Sequence, residues 1–407
     1  MTKITANHLG RAAFVYIRRS TADQLLHNPE SRRRQYRLAD RARQLGWTTV
    51  KVIDDDLGRS GGGINRPGFE RLLATICEGR VGAVFAIEAS RLARNGRDFS
   101  GAPLGLLAAL WLLGRIACLI SALVPTGLAA VVDLSFPAVL AGVVAREILA
   151  GRDWRNLPMI AAVSVLGIAD LLMHLEAIDV PMSGGLGWRL GLAAVIVLIS
   201  VIGGRIVPVF TRNWLAKRQA ENLPAAPDIL DRASLGILQA GLFAWVFLPE
   251  SQVVGAVLVI GAALNFWRLL RWRGLATTAE SLLLVLHVGY AWLVLGTGLL
   301  GLSILDGEPP PTAAIHSLTA GAIGTMTLAV MTRATRGHTG RDLSADHGTN
   351  AIYLLVTLAA VTRIAAACAA DWAMPLLIVS AGFWITAFMG FVLGYGPMLL
   401  SRPQARH

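Results

Sequence analysis

Six ionisable side chains stand inside long apolar runs of this chain: Arg115, Asp133, Asp170, His174, His316 and Arg363. A charged or titratable group in hydrocarbon is costly and tends to mark a pathway or a binding site. Neutral imidazole is a ligand for haem iron or copper. The two arginines suit carboxylates, either those of Asp133 and Asp170 or those of haem propionates. His287 is a further candidate, nearer the other end of its run, and His338 lies in the Arg- and Gly-rich stretch Arg336–Arg341 (RGHTGR). The residues alone leave two readings open. In one, His174 and His316 face each other and hold a metal. In the other, the charges pair with each other, the histidines hydrogen-bond between helices, and there is no cofactor. Covalent c-type haem is excluded, because no CxxCH is present. Cys77, Cys118 and Cys368 are far apart and fall in no metal-ligand spacing.

The elements that must position these groups are membrane helices. The chain has 407 residues, 54% apolar and 15% charged, with mean hydropathy +0.56. A soluble domain carries about 25% charged residues, which excludes an all-soluble protein. Ten spans are expected, at 102–124, 127–149, 157–176, 186–210, 233–249, 251–270, 280–305, 311–332, 349–370 and 373–399. Each approaches the roughly 20 apolar residues a bilayer crossing needs. The loops between them alternate in charge. One set carries Arg152 and Arg155, Arg212, Lys217 and Arg218, Arg271 and Arg273, Arg333, Arg336 and Arg341, and the tail residues Arg402 and Arg406. The other set is neutral or acidic: 124–127, Glu176–Asp179, Pro249–Ser251, Leu305–Pro310 and Asp371. Basic loops stay inside, so both termini are expected in the cytoplasm. The six charged groups then fall in the outer half, with His287 nearer the cytoplasmic side. The first long apolar run begins near residue 102, so targeting is expected from the helices themselves.

Residues 1–99 belong to another physical class. They carry 18 Lys and Arg against 10 Asp and Glu, a large share of the net +11. Ala12–Ile17, Thr48–Asp54 and Ala83–Glu88 read as short strands. Helices are expected at Glu30–Leu45 and Pro67–Glu78, and Gly58–Gly63 is a Gly-rich loop. Alternating strands and helices predict a parallel sheet. The fold class is therefore mainly α, a polytopic helical bundle preceded by a small α/β unit. The expected division is 1–99, 100–400 and a tail at 401–407.

The membrane part resembles the NnrS family. The resemblance is carried by Ser100–Arg115 (SGAPLGLLAALWLLGR), Gly203–Leu215 (GGRIVPVFTRNWL), His287–Leu293 (HVGYAWL) and His316–Arg341 (HSLTAGAIGTMTLAVMTRATRGHTGR). It implies a membrane protein that binds haem and copper and is linked to nitric oxide metabolism. It makes His174, His287, His316 and His338 the metal candidates. Family members usually begin with roughly two further spans bearing a histidine-rich WHxHE-like segment, absent here, which implies less bound metal or none.

Residues 12–99 resemble the start of a serine recombinase catalytic domain of the resolvase and invertase kind. The matching motifs are Tyr16–Ser20 (YIRRS), Asn65–Phe69 (NRPGF) and Ser90–Arg94 (SRLAR). The resemblance implies Ser20 as nucleophile toward a DNA phosphodiester, with Arg18, Arg66, Arg91 and Arg94 neutralising the phosphate. Asp56 and Gln24 match supporting positions. This resemblance stops at Asp98–Phe99, before the oligomerisation helix and DNA-binding region, which implies an inactive fragment in a gene fusion.

Overall fold

The computed structural model describes residues 11–16, 38–53, 75, 81–85, 102–151 and 157–400. The chain divides into two compact units that part between Leu104 and Gly105.

In the smaller unit, three consecutive apolar residues, Ala13, Phe14 and Val15, are buried. A strand buried on both faces belongs in the middle of a parallel sheet. Accordingly β1 (Ala12–Tyr16) lies between β2 (Val50–Ile53) and β3 (Val81–Phe85), parallel to both. Residues 38–44 are helical and bury Ala39 and Ala42. Trp47 packs edge-on to Phe85. The expected parallel sheet is present. β3 begins two residues earlier than Ala83, because Ala12 pairs with Val81 and Ala13 with Ala83, leaving Gly82 as the extra residue of an irregularity.

The larger unit is a membrane-spanning helical bundle. Its helices are α1 (Ala102–Leu119), α2 (Thr126–Gly151), α3 (Leu157–Ala177), α4 (Leu186–Lys217), α5 (Ile229–Phe247), α6 (Gln252–Arg271) and α7 (Ser281–Asp306). There follow α8 (Pro311–His316), a π-helical turn (Ser317–Ile323), α9 (Gly324–His338), α10 (His347–Cys368) and α11 (Ala373–Leu400). Taking α8 through α9 as one continuous element, nine helices among the described residues are long and apolar enough to cross a membrane. They correspond to nine of the ten expected spans. The first expected span, 102–124, is shorter: α1 ends at Leu119, and a turn leads to Pro125. Proline disfavours helical geometry in the residue before it, and the Pro125 carbonyl accepts from the Leu128 and Ala129 N–H groups at the start of α2.

Long apolar side chains on the outer faces, such as Leu112, Val131, Phe243, Trp267 and Leu393, are exposed in the isolated chain. Only hydrocarbon suits such surfaces, and closed backbone hydrogen bonding within each helix lets them sit there. α7 runs through the centre. Leu282, Leu286 and Tyr290 pack with Leu328 of α9, Val356 of α10 and Phe391 of α11. Farther along α7, Leu293 and Leu300 pack with Ile196 of α4, Leu238 and Leu242 of α5, and Leu258 of α6.

Helix starts outside the apolar zone are capped by side chains. Asp228 and Asp231 form a reciprocal capping box at α5. Asp346 accepts from the Thr349 backbone N–H at α10. Glu280 caps α7 by accepting from Leu282 N–H, and the same oxygen accepts from the Ala345 N–H. That last bond ties the start of α7 to the turn before α10.

Candidate metal centre

Arg115 and Cys118 are three residues apart on α1, so they share one helix face. Asp170 and His174 are four apart near the end of α3 and share a face as well. Asp133 lies two turns into α2. Successive helices run in opposite directions, which brings the end of α1, the first half of α2 and the end of α3 to one level. The meeting point of α1 and α2 is Gly114. A Cβ there would come within 2.6 Å of Asp133 Oδ1 and 3.1 Å of Asp133 Cα. Glycine is what lets the carboxylate lie against the α1 backbone.

The buried Asp133 carboxylate organises the cluster. Arg115 Nη2 donates to its Oδ1. Cys118 Sγ donates to Oδ2 at 3.3 Å, and His174 Nε2 lies 3.3 Å from the same oxygen. Cys118, Asp133 and His174 each present one ligand atom, all within 4.8 Å of one another. Metal–sulfur and metal–nitrogen bonds of about 2.0–2.3 Å put two ligands of one ion roughly 3.5–4.5 Å apart. The two separations from Asp133 Oδ2, 3.3 Å each, are slightly shorter than that, as expected of groups in direct hydrogen-bond contact. Asp170 makes no hydrogen bond among the described residues, and it interacts electrostatically with Asp133, His174 and Arg115.

The other histidines are distributed elsewhere in the bundle. α3 packs against α2 and α4, and α8 against α7 and α10. His174 is therefore joined to Asp133, whereas His316 sits within electrostatic reach of Arg363 of α10. His316 makes no hydrogen bond among the described residues and immediately precedes the π-helical turn, a geometry often met at functional sites. His287 is buried. Its Nε2 is 2.8 Å from Thr211 Oγ1, while its Nδ1 has no partner. A Cβ on Gly274 would stand 2.7 Å from that Nδ1, so the Gly274 backbone covers it. His338 is exposed at the end of α9. Ser20, Arg18, Gln24, Asp56, Arg66, Arg91 and Arg94 lie outside the described residues.

Residues 93–402 match the NnrS protein family. The chain belongs to the NnrS family. The resolvase N-terminal domain matches residues 13–102, so the NnrS region follows a recombinase-like segment as a fusion. An uncharacterized protein of Sinorhizobium fredii (strain NBRC 101917 / NGR234), y4bA/y4pH, is 48% identical over 100 residues. Those residues are 24% of this chain and 14% of that protein, so the chain spans only a small part of the relative. No solved structure matches.

Two polar groupings of this NnrS protein are invisible from motif reasoning. The first is Cys118. As an isolated cysteine it has no ligand spacing, and the only signal is its place one turn after Arg115. The second is a buried network at the other end of the bundle. Arg268 donates to Asp231 at 2.7 Å, to Tyr290 Oη at 3.0 Å and to the Gly204 carbonyl at 3.0 Å. Tyr290 donates to Asn265 Oδ1, and Asn265 Nδ2 donates to the Ser234 and Gly261 carbonyls. Every member has a partner, as a buried polar network requires.

Proposed function

We propose that this NnrS-family protein binds copper and haem in the cytoplasmic membrane of a bacterium and acts in nitric oxide or nitrosative-stress handling. The observation that carries this reading is the convergence of Cys118, Asp133 and His174 from three helices. Thiolate and imidazole are ligands that copper favours, and the carboxylate that gathers them completes a three-donor set. For haem, His316 offers an imidazole without a hydrogen-bond partner, and Arg363 offers a guanidinium for a propionate. His287 fits neither group, because Thr211 takes one ring nitrogen and Gly274 covers the other. His338 is assigned to the basic cytoplasmic edge. A bound metal would supply a centre that ligates nitric oxide. Cys118, Asp133 and His174 would hold the ion, and the Cys118 thiol would give up its proton on binding.

The alternation of basic and neutral loops supports an orientation with both termini in the cytoplasm. We assign 1–99 to a recombinase-like segment, 100–400 to the membrane domain and 401–407 to a cytoplasmic tail. The recombinase-like segment is assigned as vestigial, since helix α1 begins at Ala102, where the resolvase match ends.

The test is metal and haem analysis of the full chain purified in detergent. Wild type is expected to retain copper and show a Soret band. Cys118→Ala and His174→Ala each lower copper affinity about tenfold or more, and His316→Ala removes the Soret band. A wild-type preparation with neither copper nor a Soret band overturns the reading in favour of a membrane protein without cofactor.

A second reading, DNA cleavage through a phosphoserine at Ser20, is favoured by the resolvase match over 13–102. It requires DNA strand cleavage by the full chain that Ser20→Ala abolishes. Absence of cleavage and of any phosphoserine linkage removes it.

A further inference from the structure

We propose that Arg333, stacked on Phe210, binds the phosphate of an anionic phospholipid in the leaflet on the basic side of the bundle. The inference goes beyond the metal reading and does not depend on it.

α4 and the long element from α8 to α9 touch twice, in parallel register. Gly203 of α4 faces Met326 of α9, and a Cβ there would stand 3.5 Å from the Met326 methyl. Seven residues farther along both helices, the Arg333 guanidinium lies over the Phe210 ring, 4.3 Å from its centroid. A step of seven is close to two turns, so each helix presents one face to the other. Glycine at the first contact lets the backbones approach. At the second, a ring and a guanidinium fill the space. α4 packs on the π-helical turn and not closely on α9 beyond it, so the two helices part toward the basic edge. Ile206 lies one turn before Phe210, and Val330, exposed in the isolated chain, lies one turn before Arg333. Apolar side chains therefore line the seam above the guanidinium.

Stacking uses the flat face of a guanidinium and leaves its N–H donors free at the rim. At the same edge Arg268, Arg271 and Arg336 each pair with an aspartate. Arg333 is half-buried, and among the described residues it makes no hydrogen bond and no ion pair. Glu280 lies within its electrostatic reach, but Glu280 Oε1 is taken by the Leu282 and Ala345 N–H groups. The depth suits a headgroup. Pro311–His338 has 28 residues, about 40 Å at 1.5 Å per residue, against a hydrocarbon core of roughly 30 Å. Arg333 is in the last two turns of that element. A phospholipid supplies both halves of what the seam lacks: an acyl chain against Ile206 and Val330, and phosphate oxygens for the guanidinium rim. Lys217, exposed on the same face of α4 as Phe210 and nearer the basic edge, favours a headgroup without an ammonium of its own.

The experiment is native mass spectrometry of the full chain in mild detergent, titrated with phosphatidylglycerol or with phosphatidylcholine of the same acyl chains. Wild type is expected to bind the first phosphatidylglycerol about tenfold tighter than the first phosphatidylcholine. Arg333→Gln removes that preference. Arg212→Gln keeps it, because Arg212 is exposed two residues from Phe210 and so on the far face of α4. Equal affinities for the two lipids in wild type, an unchanged preference in Arg333→Gln, or an Arg212→Gln protein as impaired as Arg333→Gln overturns the inference. Inorganic phosphate that raises the melting temperature of wild type but not of Arg333→Gln overturns it as well, in favour of a soluble anion. Should Arg333→Gln fail to fold, Phe210→Leu takes its place. Loss of the stacked ring is expected to lower the preference about threefold, and an unchanged preference again overturns the inference.

Discussion

Arg268 Nε lies 2.7 Å from Asp231 Oδ1, and both side chains are largely withdrawn from solvent, at 5% and 12% exposure. The guanidinium's other nitrogens bond Tyr290 and the Gly204 carbonyl, so removal of Asp231 strands a buried cation. Asp231→Ala is expected to destabilise the bundle by about 3–5 kcal/mol, the usual consequence of breaking a buried pair. The double variant Asp231→Ala/Arg268→Met should recover a large part of that loss. Unfolding followed in detergent micelles checks both; an Asp231→Ala protein as stable as wild type refutes the buried-charge account.

Two capping aspartates outside the membrane-spanning segments set the acid sensitivity. The Arg271 guanidinium, 2.6 Å away, followed by the Asp231 backbone N–H, holds the Asp228 carboxyl well below the usual range. At Asp346, burial pushes the carboxyl up, but the Thr349 N–H and hydroxyl and the Arg336 guanidinium outweigh it and leave it lowered. A carboxylate whose folded pKa is depressed stabilises the fold above its unfolded pKa of about 3.9. That contribution is lost as pH falls through the lower folded value. The melting temperature is therefore expected to hold from neutral pH to about pH 5 and to fall below about pH 4. Asp228→Asn and Asp346→Asn should each lower it at neutral pH and flatten the acid limb. An unchanged acid limb in both variants counts against this assignment.

Much of this was legible beforehand, and the reasons are physical. Apolar runs near bilayer length announce helices whatever their packing, so nine expected spans reappear with ends shifted by a few residues. Arg115, Asp133 and His174 were legible because charge inside such a run is rare enough to carry information. The Asp231–Arg268 pair was not. Asp231 sits before the expected span at 233, and Arg268 looks like an ordinary basic anchor at a helix end. Only the extension of α5 back to Ile229 brings the two into the bundle. The short first helix was overestimated because hydropathy continues through Ile120 and Leu123 after the helix has stopped at Leu119. The partner of His316 was unreadable for another reason: which helices are neighbours is decided by packing, and hydropathy is blind to it.

Gly274 covers the unpaired nitrogen of His287, whose ring also lies edge-on to Trp272, with centroids 6.3 Å apart. Gly274→Ala adds a methyl where 2.7 Å is available and is expected to cost about 1–3 kcal/mol, as overpacking does. Gly274→Ala/His287→Ala should be less destabilised than the sum of its parts, because the ring that is struck has been removed. Additive losses in a double-mutant cycle contradict the contact.

The approach of α1 to α2 at Gly114 is expected to govern access to Cys118. In a Cys77→Ser/Cys368→Ser background, Gly114→Val forces Asp133 away and frees the thiol from its acceptor. Labelling of the half-buried Cys118 by a small thiol reagent should then quicken about tenfold, as expected when a thiol is released from its hydrogen-bond acceptor. Equal labelling rates in the two proteins mean that Gly114 does not hold the cluster closed.

The π-helical turn at Ser317–Ile323 has a consequence for the length of the chain there. A π-turn holds one residue more than an α-turn, so the two halves of this long helix keep their own faces: His316 within electrostatic reach of Arg363, and Arg336 bonded to Tyr395 and Asp346. The segment is a place where one residue can be dropped and the remaining turns relax to α-geometry without swinging the far half away from its neighbours. A one-residue deletion anywhere in α9 beyond it has no such slack and turns the following side chains by about 100°. The turn is thus the bundle's expansion joint, tolerant of length where the adjoining helix is not.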